Sequence, residues 1–112
     1  HAIGHFLLAN ALLLAGDAAA ARPHAEASLA IRDSLARADP DNAQLVRGLA
    51  LAHGQLARLA EAAGAPAEAR ARLELARTRW AAYLRVVDTS SDDRRQLDSL
   101  RALGTRLGVG RR

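Results

Sequence analysis

The sequence of 112 residues contains no cysteine, no methionine and no lysine. Because cysteine is absent, the chain can form neither a disulfide framework nor a cysteine-ligated zinc site, which is typical of a cytoplasmic protein. Since the chain opens on His1 and has no methionine, we expect it to be a fragment of a larger protein. All 16 basic residues are arginine, which a GC-rich genome would favour.

Aromatic residues make up only 3% of the chain, too few for a surface that stacks nucleic-acid bases. No apolar run approaches the roughly 18 residues that a bilayer-spanning helix needs, so we expect no membrane segment. The sequence also has no glycine-rich phosphate loop, no paired carboxylate motif and no nucleophile placed beside a base. We therefore expect a protein that is not an enzyme and that holds no cofactor.

Alanine and leucine dominate the sequence, with 28 and 19 residues, whereas valine and isoleucine together number 6. Alanine and leucine lose little conformational freedom in a helix, and the β-branched residues that favour strands are scarce. Apolar residues also recur at spacings of three and four, as in Leu45, Leu49, Ala52, Leu56 and Leu59. The sequence therefore predicts an all-α fold.

Glycine, proline and capping residues mark the starts and stops of five helices. Gly16 and Gly64 suit the left-handed conformation that ends a helix, while Asp17 can cap the helix that follows. Pro66 fits a first helical position, and Ser90 has the spacing of a capping box. We predict helices over about 2–15, 17–38, 42–63, 66–87 and 91–108.

Three residues complicate this pattern. Pro23 lies inside the second predicted helix and removes a backbone donor, so we expect a kink there or a later start. Pro40 lies in a segment that we expect to turn, with Pro40 at or near the first position of the third helix. Gly54 weakens the interior of the third helix, and we expect it to permit the close approach of a neighbouring helix.

The sequence nearly repeats itself with a period of 48 residues. Ten of the first 28 residues recur 48 positions later, and the matches include His, Gly, Leu, Arg and Glu as well as the abundant alanine. The matched pairs are Ala2/Ala50, His5/His53, Leu8/Leu56, Ala9/Ala57, Ala15/Ala63, Gly16/Gly64, Ala19/Ala67, Ala21/Ala69, Arg22/Arg70 and Glu26/Glu74. A fixed period of about 20–50 residues indicates stacked helical repeats, and such proteins usually bind other proteins.

The repeated pattern resembles the tetratricopeptide repeat (TPR), a helix–turn–helix unit with small residues at its helix contacts and glycine at its turn. The residues that carry the resemblance are Leu8, Ala9, Leu12, Gly16, Ala21, Ala25 and Ser28 in the first unit, and Leu56, Ala57, Ala60, Gly64, Ala69, Leu73 and Ala76 in the second. The resemblance implies an antiparallel stack of helix hairpins, a TPR-like α-solenoid. Its units would lie at 1–40 and 41–88, followed by a capping helix at 91–108 and a frayed tail at 109–112.

The chain departs from the family pattern in two ways. The second helix of each unit runs about two turns longer, which stretches the family's period of about 34 residues to 48. His5 and His53 stand where many members carry tryptophan. The segment 29–43 is similar to a long-repeat variant found in large bacterial signalling proteins such as serine/threonine kinases. The resemblance therefore implies a regulatory or scaffold fragment of a larger bacterial protein.

By the family pattern, the first helix of every unit lines a concave groove that binds a partner protein, a peptide or a segment of the parent chain. The residues expected to face this groove are Ile3, Phe6, Asn10, Leu13, Leu51, Arg58, Glu61 and Arg106. An apolar start followed by two arginines suits a peptide of some acidic character, steered by Arg58 and Arg106. The carboxylate clamp of some TPR proteins is not expected, because Phe6 and Gln55 replace residues that it needs.

Two other functions remain open. The edge formed by Ile3, Phe6 and Leu7 could pair with a second copy of the chain, giving a homodimer. The basic second half could bind nucleic acid, because residues 65–112 carry 11 arginines against 6 acidic residues. The spacing of four between Glu68 and Arg72 favours a face that neutralises itself in solvent, which makes nucleic acid the less favoured partner.

Histidine at helical spacing could also suggest a metal site. His1 and His5 lie one turn apart, a spacing that metals can use, but no third ligand lies nearby in the sequence. His53 matches His5 in the repeat, which favours a packing role. His24 is expected to be exposed and without a partner, and we predict no bound metal.

Overall fold

Five α-helices account for most of residues 1–109, the part of the chain that the computed structural model describes. They are α1 (Ala2–Leu14), α2 (Ala18–Ala38), α3 (Ala43–Ala62), α4 (Pro66–Leu84) and α5 (Ser91–Leu107). Residues 1–109 contain no strand, so the predicted all-α class with five helices is confirmed. None of the helices in this range combines the length and the apolarity that a membrane crossing would require.

The helices begin and end at residues that the sequence marks. Gly16 and Gly64 have φ angles of 84° and 75°, in the left-handed region where glycine carries no steric penalty. The side chains of Asp17 and Ser90 cap α2 and α5, and each accepts a hydrogen bond from the backbone N–H three residues later, at 3.0 and 3.1 Å. Pro66 is the first residue of α4. These local signals therefore set the helix bounds as predicted.

Two segments end differently from the prediction. α4 ends at Leu84, three residues earlier than expected, and Val87 packs against the core between α3, α4 and α5. Two consecutive valines follow the helix, and their restricted side chains favour this earlier end. Val109 was expected in the frayed tail, but its N–H donates to the carbonyl oxygen of Gly104 at 2.8 Å and its side chain packs against the same core. The rest of the predicted tail, 110–112, lies outside the described residues.

Two prolines were expected to shape the starts of α2 and α3. α2 begins at Ala18, directly after its cap, so the late start expected at Pro23 is wrong, whereas the alternative of a kink at Pro23 stays a prediction. Pro40 lies in the turn before α3 and not at its first position. The side chain of Asn42 caps α3, which begins at Ala43, because it accepts a hydrogen bond from the first turn at 3.1 Å.

The 48-residue period is visible in the backbone of the two hairpin turns. In each turn a residue that follows the left-handed glycine donates its N–H to the carbonyl five residues earlier. These hydrogen bonds join Asp17 N to Leu12 O at 2.9 Å, Ala65 N to Ala60 O at 2.8 Å and, after α5, Val109 N to Gly104 O at 2.8 Å. The ends of α1, α3 and α5 are therefore structurally equivalent, and Gly16, Gly64 and Gly108 align them.

The core consists of two clusters that meet at α3. On one side Leu56 and Leu59 of α3 pack with small residues of α1 and α2, including Ala21 and Ala25. The residues of the other cluster come from α3, α4 and α5, and its buried members are Ala50, Ala57, Leu73, Ala76, Trp80, Tyr83, Leu100 and Leu103. Ten of the 20 residues of α3 are buried, so α3 is the central helix.

The glycine inside α3 leaves room for a side chain of α5. A Cβ atom at Gly54 would lie 3.3 Å from Cδ2 of Leu100, which is tighter than most contacts of real Cβ atoms. Leu100 is buried in the cluster formed by α3, α4 and α5, with 3% of its surface exposed. The space at Gly54 is therefore filled by a leucine side chain, and not by the backbone of a neighbouring helix as expected.

Three ion pairs join helices that are distant in sequence. Arg22 of α2 bonds Glu68 of α4, Arg47 of α3 bonds Asp93 of α5, and Arg106 of α5 bonds Glu61 of α3. In each pair the two residues come from neighbouring units of the repeat. These contacts join residues about 45 positions apart along the chain and add polar links to the apolar packing.

Asp93 is the most buried of these carboxylates, with 2% of its surface exposed. Its Oδ1 accepts a hydrogen bond from Nε of Arg47 at 2.7 Å, and its N–H donates to Oγ of Ser90. Burial acts to raise the pKa of Asp93, but the hydrogen bond and charge of Arg47 and the contacts with Ser90 outweigh it and hold this pKa below its usual value. Arg47 also lies over the ring of Trp80, 5.7 Å from its centroid.

We predict that Asp93→Asn lowers the free energy of unfolding by about 1–3 kcal/mol at neutral pH, because Arg47 loses its carboxylate. Since the folded state lowers the pKa of Asp93, this carboxylate stabilises the fold fully above its unfolded value of 3.8, and the contribution is lost as pH falls through the folded pKa. The gap between the two proteins should therefore shrink below pH 4. Urea unfolding followed by circular dichroism measures both effects.

The matched control is Asp92→Asn. Asp92 pairs with Arg95 in the same helical turn, but its side chain is 73% exposed. An exposed pair of this kind contributes less than about 1 kcal/mol. Equal destabilisation by the two substitutions would contradict the assigned role of the buried pair.

Candidate functional site

A cleft of about 300 Å³ lies between α1, α3 and α5. We call it the central cleft, and its lining residues are Phe6, Asn10, Leu13, Leu14, Arg58, Arg95, Gln96 and Ser99. Four of the eight residues predicted to face a groove therefore meet here, three from α1 and one from α3. α5 was expected to contribute Arg106, but the residues of α5 that line the cleft are Arg95, Gln96 and Ser99.

Gln55 holds the α1 wall of the central cleft against α3. Its side chain is fully buried, and its Nε2 donates to the carbonyl oxygen of Phe6 and to Oδ1 of Asn10, both at 2.8 Å. The amide oxygen of Asn10 therefore has a partner within the fold, while Asn10 still lines the cleft. In the sequence, Gln55 was notable only because it replaces a residue that the carboxylate clamp needs. Its position in the repeat did not predict the contact with α1.

Arg58 carries a positive charge into the central cleft. Its Nη2 donates to Oγ of Ser99 at 3.0 Å and to Oε1 of Gln96 at 3.3 Å, and both of these acceptors are neutral. Within residues 1–109 no carboxylate forms a salt bridge with Arg58. Burial and the charge of Arg106 lower the pKa of Arg58. The guanidinium thus lies partly desolvated without an opposite charge, beside the apolar side chain of Leu13.

The predicted groove residues Glu61 and Arg106 bond each other outside the central cleft. Nε and Nη2 of Arg106 donate to the two carboxylate oxygens of Glu61 at 2.8 and 2.9 Å. The hydrogen bond from Arg106 lowers the pKa of Glu61, and the same contact raises that of Arg106. Because each neutralises the other, neither offers a free charge, and the steering role expected of Arg106 finds no support in this geometry.

The remaining predicted residues, Ile3 and Leu51, line a second cleft. This N-terminal cleft has a volume of about 350 Å³, and its lining residues are His1, Ala2, Ile3, Ile31, Arg32, Leu35, Gln44, Leu45, Arg47, Gly48 and Leu51. Arg32 lies 4.8 Å from the ring centroid of Phe6, and its Nη1 donates to the carbonyl oxygen of Gly48 at 2.9 Å. The two clefts therefore adjoin where Arg32 covers Phe6. Sequence reasoning missed Arg32, although a glycine at position 48 leaves room for its side chain.

Three of the four histidines, His1, His5 and His24, form side-chain hydrogen bonds within the fold. Nδ1 of His1 accepts a hydrogen bond from the N–H of Gly4 at 3.0 Å and so caps α1. Nδ1 of His5 and Nδ1 of His24 are 3.1 Å apart, so the expectation that His24 has no partner is wrong. His53 is buried, and burial lowers its pKa. Within residues 1–109 no group of three or more His, Cys, Asp or Glu side chains converges in a way that could hold a metal ion.

Several arginines of the basic second half have acidic neighbours. The pairs are Arg72 with Glu68, Arg95 with Asp92, Arg101 with Asp98 and Arg106 with Glu61. Positive and negative side chains therefore alternate on α4 and α5, which favours a solvated face over a continuous basic patch.

No family model matches the chain, and comparisons with curated proteins and with solved structures find no match. The geometry of the clefts and the resemblance in sequence are therefore the two grounds for inferring a function.

We predict that Gln55→Leu lowers the free energy of unfolding by about 1–3 kcal/mol, because the Phe6 carbonyl and the Asn10 amide lose a buried donor. Chemical unfolding followed by circular dichroism measures the loss. Amide exchange along α1 should become faster, since this contact joins α1 to α3.

Gln44→Leu is the matched control, because Gln44 is exposed on α3 and the same change there removes no contact between helices. If Gln55→Leu is as mild as this control and leaves exchange in α1 unchanged, Gln55 does not hold the cleft wall.

Proposed function

We propose that this chain is a protein-interaction module of the TPR-like helical-repeat type, and that it binds a partner segment in the central cleft. The single observation that carries the proposal is the position of Arg58. This arginine lies partly buried among apolar groups, with neutral acceptors and no carboxylate partner within residues 1–109. A desolvated charge without a counter-charge gains most from an added carboxylate, because the surroundings screen it less than water does.

The lining of the cleft suits a segment with an apolar side chain and an acidic group close together. The apolar side chain would bury against Phe6 and Leu13, and the carboxylate would take the bidentate donors of Arg58. Ser99 and Gln96 are neutral and lie at the cleft surface, so they can give up the guanidinium or bond the partner themselves. This arrangement corresponds to binding an amphipathic helix or extended peptide in a groove.

The cleft requires little rearrangement for such binding. Gln55 fixes α1 to α3, and the pair of Arg106 with Glu61 fixes α5 to α3. A preformed site avoids the entropy of ordering its walls, which favours affinity. We propose a scaffold or regulatory role inside a larger bacterial protein of the cytoplasm, which the sequence resemblance supports.

A phage-displayed library of random peptides, selected on the immobilised chain, tests the proposal directly. Selected peptides should be enriched in Asp or Glu beside a large apolar residue. Their affinity, measured by calorimetry or fluorescence anisotropy, should fall at least about tenfold for Arg58→Gln, which corresponds to about 1.4 kcal/mol. The double variant Arg58→Glu with Phe6→Ala should abolish capture while the circular dichroism spectrum stays helical.

Arg85→Gln is the matched control, since it removes the same charge from an exposed residue that does not line the cleft. It should leave affinity within about twofold, because an exposed charge outside the contact acts only through screened long-range attraction. Peptides that lack acidic residues, or that bind Arg58→Gln as well as the native chain, would rule out the central cleft as the site.

A further inference from the structure

One face of α1 is apolar and exposed. Between Ala2 and Leu14 the helix has no charged residue, and its polar His5 and Asn10 are bonded within the fold. The exposed fractions of its large side chains are 59% for Ile3, 59% for Leu7, 45% for Leu8 and 89% for Leu14. Such a face is unusual for a helix in contact with water, and isolated apolar side chains do not explain its continuity.

The equivalent positions in α3 and α5 can be compared with this face of α1. When the three left-handed glycines are aligned, Leu8 of α1 corresponds to Leu56 of α3 and to Leu100 of α5. The exposed fraction of Leu8 is 45%, whereas those of Leu56 and Leu100 are 0% and 3%. The equivalent of a half-exposed leucine is therefore fully buried in both other helices.

The next turn of the three helices repeats the pattern. Ala11 of α1 is exposed, whereas the corresponding Leu59 and Leu103 have 1% and 0% of their surfaces exposed. The difference follows from the preceding helix. α2 precedes α3 and shares its core cluster, and α4 precedes α5 and shares its cluster, but α1 has no such helix against it within residues 1–109.

We propose that the exposed face of α1 is a docking surface for a helix of the kind that α2 and α4 present. The recognised feature is a face of small and medium side chains at spacings of four and three. In α2 this face is Ala21, Ala25 and Ser28, and in α4 it is Ala69, Leu73 and Ala76, all fully buried. The partner is thus an amphipathic helix with that pattern, as the second helix of a hairpin. Leu8 and Ala11, the positions that carry this inference, do not line the central cleft, although the neighbouring Leu14 does.

A second copy of the chain fits the exposed face of α1 less well than such a helix does. The free side of α5 at the opposite end exposes charged residues, including Asp92 and Arg94, which would lose water against an apolar surface. Pairing α1 with α1 of another copy would bury only a few side chains of a 13-residue helix.

The test adds a second copy of residues 1–48 directly ahead of His1. Because the period is 48 residues, the added α2 then precedes the original α1 with the same spacing that separates the native α2 from α3. In this tandem protein the original α1 should be covered as α3 is. Hydrogen–deuterium exchange should become at least about tenfold slower at the backbone amides of the original Ile3–Leu14, because a covered helix opens less often. The native 112-residue chain supplies the reference rates.

Leu8→Ala and Leu56→Ala provide a matched pair of substitutions. In the native chain Leu8→Ala should lower Tm by less than about half as much as Leu56→Ala, because only Leu56 is fully buried. In the tandem protein the same change in the original Leu8 should lower Tm by about 6 °C or more, close to the effect of Leu56→Ala.

Two results would overturn this inference. The first is unchanged exchange in the original α1 together with an equally mild effect of Leu8→Ala in both proteins. The second is a concentration-dependent dimer of the native chain in sedimentation experiments that Leu7→Glu dissociates, which would assign the face to a second copy. Failure of either kind leaves peptide binding in the central cleft untouched, so the two proposals are tested separately.

Discussion

The packing of α3 on both of its sides positions every other helix. Leucines at positions 56 and 59 meet the small side chains of α2, while Ala50, Ala57 and Gly54 leave room for α4 and α5. Small residues between the helices leave room for the large side chains of the core, such as Leu56, Leu73 and Trp80, and the many dispersion contacts add up. The central cleft exists because α1 and α5 both adjoin α3 without filling the space between them.

Charged pairs between α3 and α5 add directional contacts to the apolar packing of these helices. Asp93 with Arg47 and Glu61 with Arg106 both join α5 to α3, and each uses an arginine fork or a short hydrogen bond. One pair is buried and lies at the start of α5, whereas the other is more exposed and lies near its end. Together the two pairs join both ends of α5, which forms one wall of the central cleft, to α3. They therefore help to set the width of the cleft.

The features that could be predicted from the sequence are the local ones. Left-handed glycines, side-chain caps and apolar spacing act within a few residues, so Gly64, Asp17 and the helix stripes could be read in order along the chain. The bonds of Gln55 with Asn10 and of Arg47 with Asp93 join residues about 45 positions apart, and a single sequence does not show which polar residues meet at that distance. The same limit explains why Glu61 and Arg106 were expected to face a partner, since each is a plausible groove residue until the other is placed beside it.

α1 contributes side chains to two surfaces of different chemistry. Its inner side carries Phe6 and Asn10 into the central cleft through the contact with Gln55, while its outer side exposes Leu7 and Leu8. Gln55 holds the inner side of α1 against α3, so the wall of the cleft is in place whether or not a helix docks on the outer side. A preformed wall costs little entropy to order, and binding at one surface would therefore change affinity at the other only if it disturbed this contact.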